Sequence, residues 1–301
     1  MINRILVPLD GSELSESILP FAATIADRAK AEILLVTAIQ PVGVWDATAT
    51  AINWEREEKA ATDYLKEVEK RLAAGGHRVR AISLHGDAGQ VILDAAQKEK
   101  ADLVTMTTHG RSGVMRWLLG SVADRVVQHS TAPVMLVRAT EGKPVPSPAA
   151  ERILIPLDGS EVAAGILPFV KDYAKLFDAS LVLFHAVSPV GTYPGFETAN
   201  AQIVGELLDT IQKEATEMLA ESAKKLQAEG FKCETTVTLS LAADGILAAA
   251  EQSKAGLIAI GTHGRSGLSR TVIGSVANAV LRRSTLPCLL IHPTGTGKEP
   301  S

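Results

Sequence analysis

Residues 4–13 read RILVPLDGSE, and residues 152–161 read RILIPLDGSE. Nine of the ten positions agree, at an offset of 148. Working outward, PVG occurs at 41–43 and again at 189–191, with the same offset. THGRSG at 108–113 recurs at 262–267, and GSVA at 120–123 recurs at 274–277, both now at an offset of 154. The second copy therefore carries six extra residues after PVG, a difference assigned to the loop and long helix that follow the second strand. Short periods would indicate a solenoid; a period near 150 residues indicates duplicated whole domains.

Each copy alternates strand-like and helix-like segments. Apolar runs at 5–9, 32–39, 79–85, 102–108 and 134–139 read as strands, with amphipathic stretches near 13–29, 51–74, 89–99 and 120–130 between them. The second copy repeats the strands near 153–157, 180–187, 233–239, 257–263 and 288–292. Near-continuous runs such as ILLV and LIAI suit strands covered on both faces. Such alternation implies right-handed βαβ crossovers and a parallel sheet, an α/β fold with ligands at the carboxyl ends of the strands. The division expected is a domain at 1–140, an exposed linker at 141–150 (EGKPVPSPAA), a domain at 151–294 and a tail at 295–301.

Bulk composition narrows the function. A chain of 301 residues that is 46% hydrophobic can build two packed cores. The net charge of −4 argues against a broad nucleic-acid footprint, though a nest of backbone N–H groups can still bind a small anion. No apolar run reaches the roughly 20 residues of a membrane span, and Met1 leads directly into a strand, so a cytoplasmic protein is expected. Cys233 and Cys288 lack metal-site spacing and read as reduced, buried thiols. Neither GxxxxGK[ST] nor GxGxxG is present.

Two constellations remain. Asp10 and Asp158 follow a β-run in the sequence PLDGS. An aspartate there can hydrogen-bond a ribose hydroxyl, help to hold a metal through water, or simply satisfy the N–H groups of its own turn. Residues 261–275, GTHGRSGLSRTVIGS, space Gly261, Gly264, Gly274 and Ser275 as Gly-x2-Gly-x9-Gly-Ser between a buried strand and a helix start. Glycines let a phosphate approach the backbone, and a helix N-terminus favours an anion. The alternative is a loop whose glycines serve tight turns only. His109 and His263 offer acid–base chemistry but have no evident partner, while Arg111 and Arg265 either reach phosphates or face solvent. Trp45, Trp54 and Trp117 show no stacking pattern.

In these motifs the chain resembles the ATP-binding universal stress proteins over almost its whole length. The resemblance implies two tandem doubly wound domains, each a five-stranded parallel sheet of order 3-2-1-4-5, that pair through their last strands. It leaves open a further homodimer. It implies an ATP-binding stress-response or regulatory protein, with or without Mg2+, and the alternative is a slow nucleotide hydrolase or nucleotidyl-transfer enzyme. By resemblance, Asp158 contacts the ribose and Ala186 sits beside the adenine. Gly261, Gly264, Gly274 and Ser275 hold ribose and phosphates. In the first half Asp10, Ala38, Gly110, Gly120 and Ser121 match, but Thr107 replaces the leading glycine. Its β-branched bulk predicts a weaker first site.

Overall fold

A computed structural model describes residues 1–40, 47–108, 119–140, 142, 145–189, 201–262 and 273–292. The chain forms two compact units, one of Met1–Pro148 with Thr285–Leu290, the other of Ala149–Ser284 with Ile291 onward. In the first unit the elements run β1 (Arg4–Pro8), α1 (Glu13–Glu16), α2 (Leu19–Ala29), β2 (Glu32–Ile39), α3 (Ala47–Ala74), β3 (Val79–His85), α4 (Ala88–Lys98), β4 (Leu103–Thr107), α5 (Ser121–His129) and β5 (Val134–Val137). Its parallel strands lie in the order β3-β2-β1-β4-β5. Within this unit β5 also pairs antiparallel with Cys288–Leu290.

The second copy of the sequence repeats the series as β6 (Arg152–Pro156), α6 (Glu161–Ala164), α7 (Leu167–Phe177), β7 (Ser180–Val187), α8 (Ala201–Ala228), β8 (Cys233–Leu239), α9 (Ala242–Gln252), β9 (Leu257–Gly261), α10 (Ser275–Arg283) and β10 (Cys288–Ile291), of which Cys288–Leu290 belong to the first unit. Within the second unit the parallel strands lie in the order β8-β7-β6-β9, the first four places of the same 3-2-1-4-5 series. The α/β, doubly wound reading therefore holds for both copies. The central strands are apolar because both faces are covered: Ile5, Leu6, Val7, Ile153, Leu154 and Ile155 have no accessible surface.

Three local details depart from the sequence reading. The stretch 13–29 is two helices, α1 and α2, because Pro20 at the start of α2 has no N–H to continue the ladder from α1. The long helix starts at Ala47, and α3 and α8 are the same 28 residues long. The six extra residues thus fall between Val187 and Ala201, before the helix and not within it. Cys233 is half-buried rather than fully buried; desolvation pushes its thiol up to about 11, and neither cysteine is in a disulfide.

One packing difference between the copies bears on the site. Gly245 in α9 lies where a Cβ would meet Ser240 Oγ at 2.2 Å and Phe184 Cζ at 2.9 Å. The first copy has Val91, Gly86 and Val36 at the equivalent positions. A large ring and a serine in one copy are thus matched by a glycine, and the valines of the other by a glycine elsewhere. Gly245→Val is expected to destabilise the second unit by about 1–3 kcal/mol through overpacking. Adding Phe184→Val and Ser240→Gly, which transplants the first copy's solution, should recover most of that loss in urea unfolding. Equal stability of the single and triple variants would contradict this packing account.

Candidate functional site

The site is built where the strand order reverses, at β6 between β7 and β9. Each contributing strand delivers its carboxyl end to the same place. Strand β6 is followed by the sequence Leu157-Asp158-Gly159-Ser160. Gly159 sits at φ +84°, a left-handed conformation that glycine adopts without a steric penalty. Gly11 has the same role in the first copy, at φ +79°. The turn lets Asp158 Oδ1 accept from the Ser160 backbone N–H at 2.9 Å and from its hydroxyl at 2.5 Å. Ser160 Oγ in turn accepts from the Ala163 N–H at 3.1 Å and caps the short helix α6. Asp10 and Ser12 repeat the arrangement at 3.0 and 2.6 Å. The turn reading of these aspartates is therefore correct as far as Oδ1 is concerned, in both copies.

Strand β7 contributes Phe184, His185 and Ala186. The His185 Nδ1–H donates to the Leu157 carbonyl at 2.6 Å, tying β7 to the end of β6. Strand β9 ends at Gly261, followed by Thr262, which is fully buried and whose Oγ1 lies 2.9 Å from His292 Nδ1. The Gly274 N–H donates to the Thr262 carbonyl at 2.7 Å, so the strand end and the helix start are held together. Gly120 and Thr108 form the same clamp at 3.0 Å. Gly274 and Gly120 are the N-caps of α10 and α5. Having no side chain, neither caps its helix, so the first-turn N–H groups point outward from the helix start. A Cβ on Gly274 would lie 3.3 Å from the Thr262 carbonyl oxygen. This glycine therefore also serves its own close approach.

Together these ends enclose a cavity of about 350 Å³ in the second unit. Asp158, Ala186, Gly261, Gly274 and Ser275, five of the six residues expected for that half, all line it. The sequence reading did not single out His185 or the apolar wall of Phe184, Ala242, Ile246 and Ile260. These residues read as core, and only the strand-end position of His185 and Phe184 hinted otherwise. Gly264 and Gly110 lie outside the described residues, as do His109, His263, Arg111, Arg265, Trp45 and Trp117.

In the first unit Asp10 follows β1, and Ala38 lies in β2 opposite Leu84. Thr107 closes β4 opposite Val137, and Ser121 opens α5. Thr107 is buried, at 6% exposure, as is Thr105. The second copy has Gly261 and Ala259 at these positions. Trp54 packs against the His85 ring, with centroids 4.8 Å apart, at the end of β3. Among the described residues no group of His, Cys, Asp and Glu side chains is arranged to hold a metal ion. No helix among them is long and apolar enough to cross a membrane.

The model of the universal stress protein family matches residues 1–138 and again 150–292. The chain belongs to the universal stress protein family. Among its relatives, a universal stress protein of Mycobacterium tuberculosis is 23% identical over 293 residues, which is 96% of each chain. One from Methanocaldococcus jannaschii is 32% identical over 146 residues, 46% of this chain and 83% of that protein. The crystal structure of a universal stress protein from Archaeoglobus fulgidus superposes with a TM-score of 0.73 at 23% identity, covering 97% of this chain and 99% of that one. That likeness supports the fold.

The PLDGS turn of this universal stress protein is part of its stability as well as of its site. Ser160→Ala removes the cap of α6 and one donor to Asp158. A loss of about 1 kcal/mol is expected in urea unfolding. An unchanged midpoint would show that the turn holds without the serine.

Proposed function

We propose that this chain is a cytoplasmic, ATP-binding member of its family that acts as a stress-response regulator, with its principal nucleotide site in the second-unit cavity. The observation that carries this reading is the convergence of Asp158, Ala186, Gly261, Gly274 and Ser275 on one cavity. Its apolar wall suits a base. Its uncapped α10 N-terminus, with the Ser275 hydroxyl in the first turn, suits phosphates. In this reading Asp158 turns toward the ribose, Ala186 lies beside the adenine, and Gly261, Gly264, Gly274 and Ser275 hold ribose and phosphates. Mg2+ would accompany the phosphates and is not needed to explain the protein groups.

Mass spectrometry of small molecules released from natively purified protein should find adenine nucleotide. In calorimetric titration Gly274→Val should abolish ATP binding by the second unit, because the branched side chain fills the gap between the Thr262 carbonyl and the helix start. Ser275→Ala should weaken binding by about tenfold or somewhat more, the loss of one hydrogen bond to a charged group. Undiminished affinity in a folded Gly274→Val variant would refute the site.

The two sites should be unequal. At the residues assigned to the ligand, the copies differ only in Thr107 against Gly261. A threonine adds bulk where the backbone would meet ribose and phosphate, and it narrows backbone freedom. Stoichiometry and affinity measured on wild type, Thr107→Gly and Gly261→Thr test this. The first substitution is expected to strengthen or create a site and the second to weaken one. Two equal wild-type sites that neither change affects would show that Thr107 is harmless.

A further inference from the structure

The copies also differ one residue before the alanine assigned to the base. The carbonyl of Leu157 is bonded by His185, whereas the matching carbonyl of Leu9 is bonded by the Thr37 hydroxyl at 2.9 Å. The two partners do the same structural work and leave different chemistry behind. A carbonyl can only accept, so His185 Nδ1 carries the hydrogen, and in the neutral ring Nε2 is then a bare acceptor. Among the described residues the one hydrogen bond of the His185 ring is made by Nδ1, which leaves Nε2 for a ligand in the cavity that the residue lines. His185 lines the cavity, between Phe184 and Ala186 in sequence and beside the Leu157 carbonyl it holds. Thr37 is buried, with its hydroxyl spent on Leu9. The second cavity thus carries one fixed, oriented acceptor that the first unit does not have at that position.

We propose that His185 Nε2 accepts a hydrogen bond from a donor on the nucleoside part of the ligand, and so sets the ligand preference of the second unit. The inference rests on the nucleotide-binding reading above. The donor is either the exocyclic amine of the base or a ribose hydroxyl, and both are within the chemistry a neutral imidazole recognises. A ligand that presents no donor there leaves the acceptor desolvated and unpaired, which is the origin of the discrimination.

The test is a double cycle of protein and ligand changes in the full chain. The protein change is His185→Thr, which installs the first unit's own solution and keeps a hydroxyl for the Leu157 carbonyl. Both proteins carry Gly120→Val so that the second cavity reports alone, and thermal unfolding checks that each is folded. The ligands are ATP, purine riboside triphosphate (lacking only the amine), 2′-deoxy-ATP and 3′-deoxy-ATP. Loss of the partner donor should weaken binding to the His185 protein by about three- to tenfold, and should cost the His185→Thr variant less than about twofold. The analogue that shows this coupling identifies the donor. Equal losses in both proteins for all three analogues would overturn the proposal while leaving ATP binding intact. Failure of ATP itself to bind the His185 protein would overturn both this proposal and the nucleotide-binding reading.

Discussion

The backbone hydrogen bond from Gly274 to the Thr262 carbonyl is the constraint on which the site depends. It joins the residue that follows a buried strand to the N-cap of a helix. It fixes the first turn of the helix beside the ends of β6 and β7, while the buried Ala277, Val280 and Leu281 hold the rest of the helix against the core. The bond requires that the residue at 274 come within contact distance of the carbonyl, and a Cβ there would lie 3.3 Å from the oxygen. A glycine at this point is therefore favoured by the geometry of strand and helix before any ligand is considered, since a Cβ would have to push the carbonyl aside by a few tenths of an ångström. The ligand reading uses what the clamp leaves over: a helix start with no side-chain cap, presented beside an apolar wall.

How much of this was legible in the sequence depends on whether a signal was local. The alternation of apolar runs and amphipathic stretches specified the strands, and the repeated PLDGS marked where each copy begins. Gly11 and Gly159 could be read from residue type, since the turn needs a positive φ. The left-handed residues that end helices could not. Lys30 and Asp178 occupy matching positions at φ +55° and +50°, and Lys100 and Lys254 do so at +51° and +53°. No glycine marks any of them, so residue type gives no warning, and tertiary packing evidently sustains a conformation that L residues adopt at some cost. Pro20 did mark the break between α1 and α2, but the amphipathic pattern running through it concealed the break.

The candidate site was legible in its polar and glycine residues and not in its wall. Asp158, Gly261, Gly274 and Ser275 announce themselves by type and spacing. Phe184, Ile246 and Ile260 are apolar residues in apolar elements, and nothing in a one-dimensional pattern distinguishes a side chain that faces a cavity from one that faces the core. Comparing the copies supplies part of the missing signal. Where the second copy carries Phe184, Ser240 and Gly245, the first carries Val36, Gly86 and Val91. The close approach of Gly245 to Phe184 and Ser240 shows that these positions are coupled by space. Compensated differences of this kind mark places where the copies have been repacked without changing the fold, and here the repacked place borders the cavity.

The aspartates of the PLDGS turns show why fold and function are hard to separate at this site. Asp158 Oδ1 is committed to Ser160, and through Ser160 to the start of α6, so the carboxylate is held in one orientation by its own turn. That commitment does not compete with a role toward a ligand. A carboxylate has several lone pairs, and holding it in one orientation removes rotational freedom that it would otherwise lose on binding. The same turn occurs at Asp10, beside a strand end that differs in Thr107 and Thr37. An oriented aspartate is therefore common to both copies and cannot by itself distinguish them. What distinguishes them lies on the flanking strands: a threonine or a glycine at the end of the fourth strand, and a threonine or a histidine at the end of the second. The turn sets the frame in both units, and the neighbouring strand ends determine what chemistry the frame presents.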